Sequence, residues 1–458
     1  MTENQQVSGP NTIGDTERVP LGVKFGYGIG DFAFNLAFQV TAVFLIYFYT
    51  DVFLVSAAVA GTIFLVSKIW DAAFDPVMGY ICDHTKSRWG KKRPYLLFGS
   101  ILLGISLVLL FAGPNLSESD RVLYAFFTFI FFCSAISVAN VPYGALTADL
   151  SLDTRERSSI SGYRMTFALL GTLTAAGVTK LLVSSFGNEL TGFRAMGVIY
   201  AVIIVVILLV TFATVKERGF SSGEIKQSFK KDLALVVKNG PFLILTGATL
   251  LVMVAVNTLA AVVNYYFKYN LQAEGMIPIA FLVLFVTAAI FLPLFVFISN
   301  KRSKKFAFSI GMAIFAIALV LLYFLGEKGL EYTIPILFVA GVGMATVFLC
   351  PWAMIPDTVE FSEWKTGLRR EGIIYGFFWV SFKIGAAIAG FIAGQGLSLA
   401  NYVPNIVQSE GTLSVIRLLI TIVPLAFILA SIVLISRYPI NAEMHAKMLT
   451  EIGDRKSK

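Results

Sequence analysis

The sequence predicts an all-α polytopic membrane protein with twelve transmembrane helices, on three observations. First, 57% of its 458 residues are hydrophobic and only 14% are charged, more apolar surface than the core of a water-soluble domain absorbs. Second, apolar runs of about 20 residues, the length a helix needs to cross about 30 Å of hydrocarbon, recur from near residue 23 to residue 437. These runs are apolar on all sides, whereas the strands of a membrane barrel would alternate over short segments. Third, lysine and arginine concentrate in every second loop.

The elements follow in order. The opening segment MTENQQVSGPNTIGDTERVP lacks the basic, apolar and cleavage regions of a signal peptide, so residues 1–21 are expected to form a cytosolic tail. Runs centred near Phe44, Thr62, Leu103, Phe131, Leu170 and Ile204 fill residues 22–215 as a first six-helix bundle. A polar, cytosolic stretch occupies 216–240. Runs centred near Val252, Leu284, Phe315, Val342, Ile388 and Leu425 fill 241–437 as a second bundle, and 438–458 form a cytosolic tail.

With the amino terminus inside, most of the 36 basic residues fall in the cytoplasmic tails and loops, notably TKSRWGKKR, KQSFKK and NKRSKK. Arg121, Arg194, Lys268 and Lys328 fall in outer loops, and Lys68, Arg164, Lys180, Lys383 and Arg417 lie in or close to the spans. This is the positive-inside pattern, so the net charge of +8 reports topology and not nucleic-acid binding. Both termini are expected in the cytoplasm of a multi-pass inner-membrane protein. Cys82, Cys133 and Cys350 are isolated, and the two histidines, His84 and His445, lie outside the spans. No structural metal, catalytic residue or enzyme activity is expected from such a set.

Two stretches share an order of features: VPYGALTADLSLDTRERSSISGYRMTFALLG, from Val141, and CPWAMIPDTVEFSEWKTGLRREGIIYGFFWVSFKIGAAIAG, from Cys350. Each has Pro and an aromatic, an Asp closing a helix, paired arginines beside a Glu, then an aromatic, a cation and a Gly seven residues on. The duplication pairs Arg164 with Lys383 and predicts two parallel bundles rocking about a midplane site.

Ionisable groups within spans are expensive and mark function by default. In SKIWDAAFDPVMGY, Lys68, Asp71 and Asp75 stand at i, i+3 and i+7, on one helical face. A Lys68–Asp71 pair would leave Asp75 ionised and free, to hold a small cation through hard oxygen ligands or to take up a proton. Asp31 and Asn35, at i and i+4 in YGIGDFAFN, suit hydrogen bonds to substrate hydroxyls, or equally an interhelical clamp. Ser137 and Asn140 share a face in the fourth span. Arg164 and Lys383 can meet an anionic group on a substrate or pair with the acids of the second span. Trp352, Tyr375 and Trp379 near them offer aromatic faces to a sugar ring, though packing alone explains many such aromatics. Asp83, Arg88, Asp357, Glu363 and Arg370, in loops of mixed charge, are candidates for a cytoplasmic gate. GAAIAGFIAGQG, with Gly390 and Gly394 at GxxxG spacing, reads as close helix packing.

Together, YGIGD, IWDAAFDPVMGY with TKSRWGKKRPYLLFG, NVPYGAL, PDTVEFSEWKTGLRREG and FKIGAAIAG resemble the glycoside-pentoside-hexuronide:cation symporters of the major facilitator superfamily, over about residues 22–437. Melibiose permease and the glucuronide carrier belong to that family. The resemblance implies the major facilitator fold and alternating access. It makes Asp71 and Asp75 the coupling-cation carboxylates with Ser137 beside them, places Lys383 between cation and sugar sites, and puts Arg164 in the sugar pocket. It implies no cofactor besides a coupling ion, proton or sodium. The expected partners are a small-molecule sugar or glycoside, that cation and the lipid bilayer, with no nucleic acid and no obligate protein partner.

Departures from melibiose permease narrow the cargo. Asn35 and Asn140 replace two aspartates, Gly144 replaces a sugar-stacking tryptophan, and Phe74 replaces an asparagine near the sodium ion. Fewer carboxylates leave Arg164 and Lys383 less neutralised, which favours a hexuronide or glucuronide, and Phe74 favours a proton. The alternatives are a lysolipid-type symporter of the same superfamily and a receptor or scaffold that transports nothing.

Overall fold

The structure, a computed structural model, describes residues 19–150, 154–217, 236–367 and 371–456. Twelve helices long and apolar enough to cross a membrane are present, and among the described residues there is no strand. They are α1 (Leu21–Tyr47, extended by a π turn, Phe48–Val52), α2 (Ala57–His84), α3 (Arg93–Leu110), α4 (Glu118–Leu150), α5 (Thr154–Ser184) and α6 (Glu189–Thr214). In the second half come α7 (Gly240–Tyr265, with a π turn, Tyr266–Asn270), α8 (Ile277–Lys301), α9 (Lys304–Leu325), α10 (Leu330–Thr366) and α11 (Glu371–Leu399). The twelfth, α12 (Glu410–Ser436), is interrupted at Thr421. All twelve centres expected from the sequence fall inside these helices.

Polar residues set the starts. Side chains of Asn188, Asn239, Ser303 and Ser409 each accept a bond from the backbone N–H three residues on, satisfying donors that a helix leaves unpaired at its amino end. Within the first half α1 packs on α5, α3 on α4 and α6, and α2 on α4. Within the second, α10 packs on α8 and α9, and α7 on α11 and α12.

Between halves the main contact is α2 against α11, joined by α1 against α7 and α5 against α8. Gly61, Gly390 and Gly394 make the α2–α11 crossing possible, the close packing that the GxxxG spacing predicts here finding α2 as its partner. A Cβ on Gly394 would lie 2.5 Å from both the Gly61 Cα and the Ala57 carbonyl.

Residues 438–458, expected as a plain tail, contain an amphipathic helix, α13 (Ala442–Lys456), that packs on the end of α10. Trp364 Nε1 donates to Glu451 at 2.6 Å, and Arg455 donates to the Trp364 carbonyl at 2.7 Å. Most of the expected central loop lies outside the described residues. Cys82, Cys133 and Cys350 are buried.

Candidate functional site

Two polar clusters sit among the apolar helices. In the first, Lys383 of α11 reaches from the second half to α2, with its Nζ 2.9 Å from Asp71 Oδ1 and 2.6 Å from Asp75 Oδ2. Ser137 of α4 lies against both acids, its Oγ 2.9 Å from Asp71 Oδ1 and 2.7 Å from Asp75 Oδ1. The Asp71 side chain is fully buried, whereas that of Asp75 is 30% exposed. Lys68 stands 3.8 Å from Asp71 Oδ2, too far for a hydrogen bond, and that oxygen has no hydrogen-bond partner. Rings of Phe38, Phe64 and Phe129 surround the Lys68 ammonium at 5.6 to 6.0 Å, so cation–π attraction replaces part of its lost hydration.

The sequence placed Lys68, Asp71 and Asp75 on one helical face and left open whether Lys383 meets a substrate anion or the acids of the second span; here it meets both acids. Asp75 is not left free by a Lys68–Asp71 pair, because Lys383 and Ser137 hold it. Helical periodicity reports neighbours on one helix; the ammonium that decides the matter arrives from the other half of the molecule.

The second cluster joins Asp31 of α1 to Arg164 of α5. The Arg164 Nε and Nη2 meet the two Asp31 oxygens at 2.6 and 3.3 Å, and its Nη1 donates to Thr147 at 3.0 Å. Tyr143 donates to Asp31 Oδ2 at 2.7 Å, and the rings of Tyr143 and Tyr27 flank the guanidinium. Asp31 and Arg164, both expected to bind substrate, are therefore bonded to each other. Asn35 donates to the Asp31 carbonyl of its own helix at 2.8 Å, and Asn140 is half-buried one turn beyond Ser137. The expectation that Arg164 and Lys383 are poorly neutralised does not hold: each has carboxylate partners at hydrogen-bond distance.

Trp352 and Trp379 pack at 5.0 Å between centroids with their planes tilted by 56°, in a cluster with Phe378 and Phe382. Trp379 is half exposed and Tyr375 half-buried. At Gly144 an added Cβ would meet nothing within 4 Å, so the space a larger residue would fill is open.

Of the expected cytoplasmic gate the structure describes Arg88, Asp357 and Glu363. Arg88 is exposed and lies over the Trp89 ring, and Glu363 is buried. The Asp83 side chain and Arg370 lie outside what the structure describes. Asp357 is held by Lys304 at 2.6 Å and by His445 of α13 at 3.6 Å, with His445 2.6 Å from Glu360.

A network at the end of the bundle away from the termini was missed altogether. The buried Asp51 carboxylate accepts from Thr50, Lys268, Tyr269 and Tyr402, at 2.6 to 3.1 Å. Thr50 also meets Tyr265 at 2.6 Å, and Lys180 bridges Glu189 and Glu274. An acid inside the apolar run FLIYFYTDVFLV was the available signal.

A family model described as MFS/sugar transport protein matches residues 26–442. The chain belongs to that family. It is therefore a multi-pass membrane transporter and not an enzyme, which removes the receptor or scaffold alternative. It is 33% identical to the symporter YnaJ of Bacillus subtilis (strain 168), over 96% of each chain. It is 31% identical to the isoprimeverose transporter of Lactiplantibacillus pentosus, over 99% of this chain and 96% of that one. It is 30% identical to a glucuronide carrier protein homolog of Escherichia coli (strain K12), over 94% and 95%. Among solved structures, the nucleoside transporter NupG superposes with a TM-score of 0.61 at 13% identity, covering 91% of this chain and 98% of that one. That likeness supports the fold alone.

Proposed function

We propose that this chain is a cation-coupled symporter of a bacterial inner membrane, both termini cytoplasmic, importing a hexuronide or glucuronide with a proton. The observation that carries it is the Asp71–Asp75–Ser137–Lys383 cluster, in which one carboxylate is buried and the other is partly exposed. Ser137 has one hydroxyl proton and two carboxylate oxygens within 2.9 Å, so it can donate to only one of them. The second contact becomes a hydrogen bond when an aspartate carries a proton. Sodium is disfavoured because the Lys383 ammonium already occupies the space between the two carboxylates.

Charge balance supports an anionic cargo. Lys68, Arg164 and Lys383 stand against Asp31, Asp71 and Asp75, three charges of each sign, so the empty site is neutral. A hexuronide anion entering with one proton leaves it neutral. Asn35, Asn140, Trp352, Tyr375 and Trp379 are assigned to the sugar, with Asp31 and Arg164 as a paired wall of the same pocket. The pairing of Arg164 with Asp31 favours a second reading, a neutral glycoside bound by amides and aromatics alone, as the name of the isoprimeverose transporter suggests for that relative.

In reconstituted vesicles a pH gradient without sodium should drive accumulation of a glucuronide. Asp75→Asn should abolish accumulation while sparing exchange; accumulation at the wild-type level would sink the ion assignment. Imposing a membrane potential should leave hexuronide uptake unchanged and should accelerate uptake of a neutral sugar carried with a proton. Thermal stabilisation by glucuronides and not by galactosides decides between the two cargoes. Ligand at a hundred times its dissociation constant adds about 2.7 kcal/mol.

A further inference from the structure

A cavity of about 90 Å³ lies in the second half of the chain, between α7, α8, α9 and α10, with Gln39 of α1 in its wall. Leu259, Phe281, Phe285, Phe315 and Leu319 line it with hydrocarbon. Gln39 stands four residues beyond Asn35 and both are half-buried, so the two amides share one face of α1. That face runs from the candidate sugar site to the cavity wall. The Gln39 amide is thus the polar group that the first half of the chain brings to this apolar wall.

We propose that this cavity is an aglycone subsite, taking the compact apolar group on the anomeric oxygen of a glycoside whose sugar ring sits by Asn35 and Asn140. This rests on the glycoside reading above, but not on the sugar being anionic. Ligand sites combine apolar walls with a few placed polar groups, and an apolar cavity of this kind excludes water while accepting hydrocarbon. Its volume suits a single ring or a short alkyl chain, not a lipid tail.

The test is competitive binding to the purified full-length chain of two alkyl series, β-glucuronides and galactosides, each from methyl to hexyl. Burial of each methylene should tighten binding about fourfold, until the cavity is full and the series levels off. Ala318→Phe should flatten the climb while leaving the methyl glycosides unchanged; Ala280→Leu, a smaller filling of the same wall, serves if the larger change impairs folding. A climb in galactosides alone upholds the subsite and overturns the hexuronide. Methyl glycosides that bind with no gain along either series overturn the subsite and leave the symporter reading intact. A climb that survives both filling variants, or binding of neither series, also overturns it.

Discussion

The two ends of the helix bundle are held in opposite ways. Away from the termini the bonds cross between halves: Asp51 of the first half is held by Lys268, Tyr269 and Tyr402 of the second, Asn264 donates to the Val43 carbonyl, and Lys180 meets Glu274. Near the termini the described bonds stay within a half. Glu217 accepts from the backbone N–H groups of Lys91, Lys92 and Arg93, while Asp357 and Glu360 bind Lys304 and His445. One end is therefore joined across the halves by buried hydrogen bonds and ion pairs, while at the other the described bonds fasten each half to itself. Each half also ends its first helix in a π turn at this seam, with Phe53 N–H bonding Phe48 O and Leu271 N–H bonding Tyr266 O; such turns recur at functional sites.

If the seam is what holds the closed end, its central acid should matter most. Asp51→Ala leaves a lysine and two tyrosines facing an empty place in a buried network. Breaking one partner of a buried charge pair costs about 3–5 kcal/mol, so the unfolding temperature of the purified protein should fall by several degrees. A loss below about 1 kcal/mol would mean that the seam is incidental to the closed form.

The next largest effect is steric. Gly394→Ala would drive its methyl against Gly61 and the Ala57 carbonyl, backbone that has no side chain to swing aside. Overpacking of this kind costs about 1–3 kcal/mol, and it acts on the contact between halves, so it should favour the form open to the outside. Increased labelling from outside of a cysteine introduced at Asn35 would report that shift; unchanged labelling would show that α2 and α11 do not separate there. Ser137→Ala, at midplane, removes the hydroxyl between the two acids and should cost about 1–3 kcal/mol. Its distinguishing readout is a changed pH profile of glucuronide-driven stabilisation, which a packing role would not move.

The contrast also explains what the sequence could yield. The twelve helices were legible because apolar length alone decides them, and close packing on α11 because glycine spacing marks it, though not that α2 is the partner. Asp71, Asp75 and Lys383 were named from charge in apolar surroundings and Ser137 was set beside the two acids by the family resemblance, and they do come together. Their pairing was legible only as one of two readings for Lys383, since it is 312 residues from Asp71 and neither helical face says which partner it meets. The same limit hid the division of labour between the duplicated cations: Arg164 binds an acid of its own half, whereas Lys383 crosses to the other. Asp51 was overlooked beside the aromatic run that precedes it, although its burial cost was readable. The fastening of α13 was missed because amphipathic periodicity in a short polar tail has no partner visible in the chain.

The smallest effect should come from that fastening. His445 and Glu360 are 31% and 19% exposed in their side chains, so solvent screens their attraction, and partly exposed pairs contribute about 0.2–1 kcal/mol. A double-mutant cycle of His445→Gln and Glu360→Gln should return a coupling in that range. The coupling should shrink in high salt, because mobile ions screen it. The same substitutions should leave outside labelling at Asn35→Cys unchanged, since the pair ties α13 to α10 within one half. A change in outside accessibility as large as that from Gly394→Ala would mean that the two ends are mechanically coupled through α10, and that the inner fastening does more than hold a tail in place.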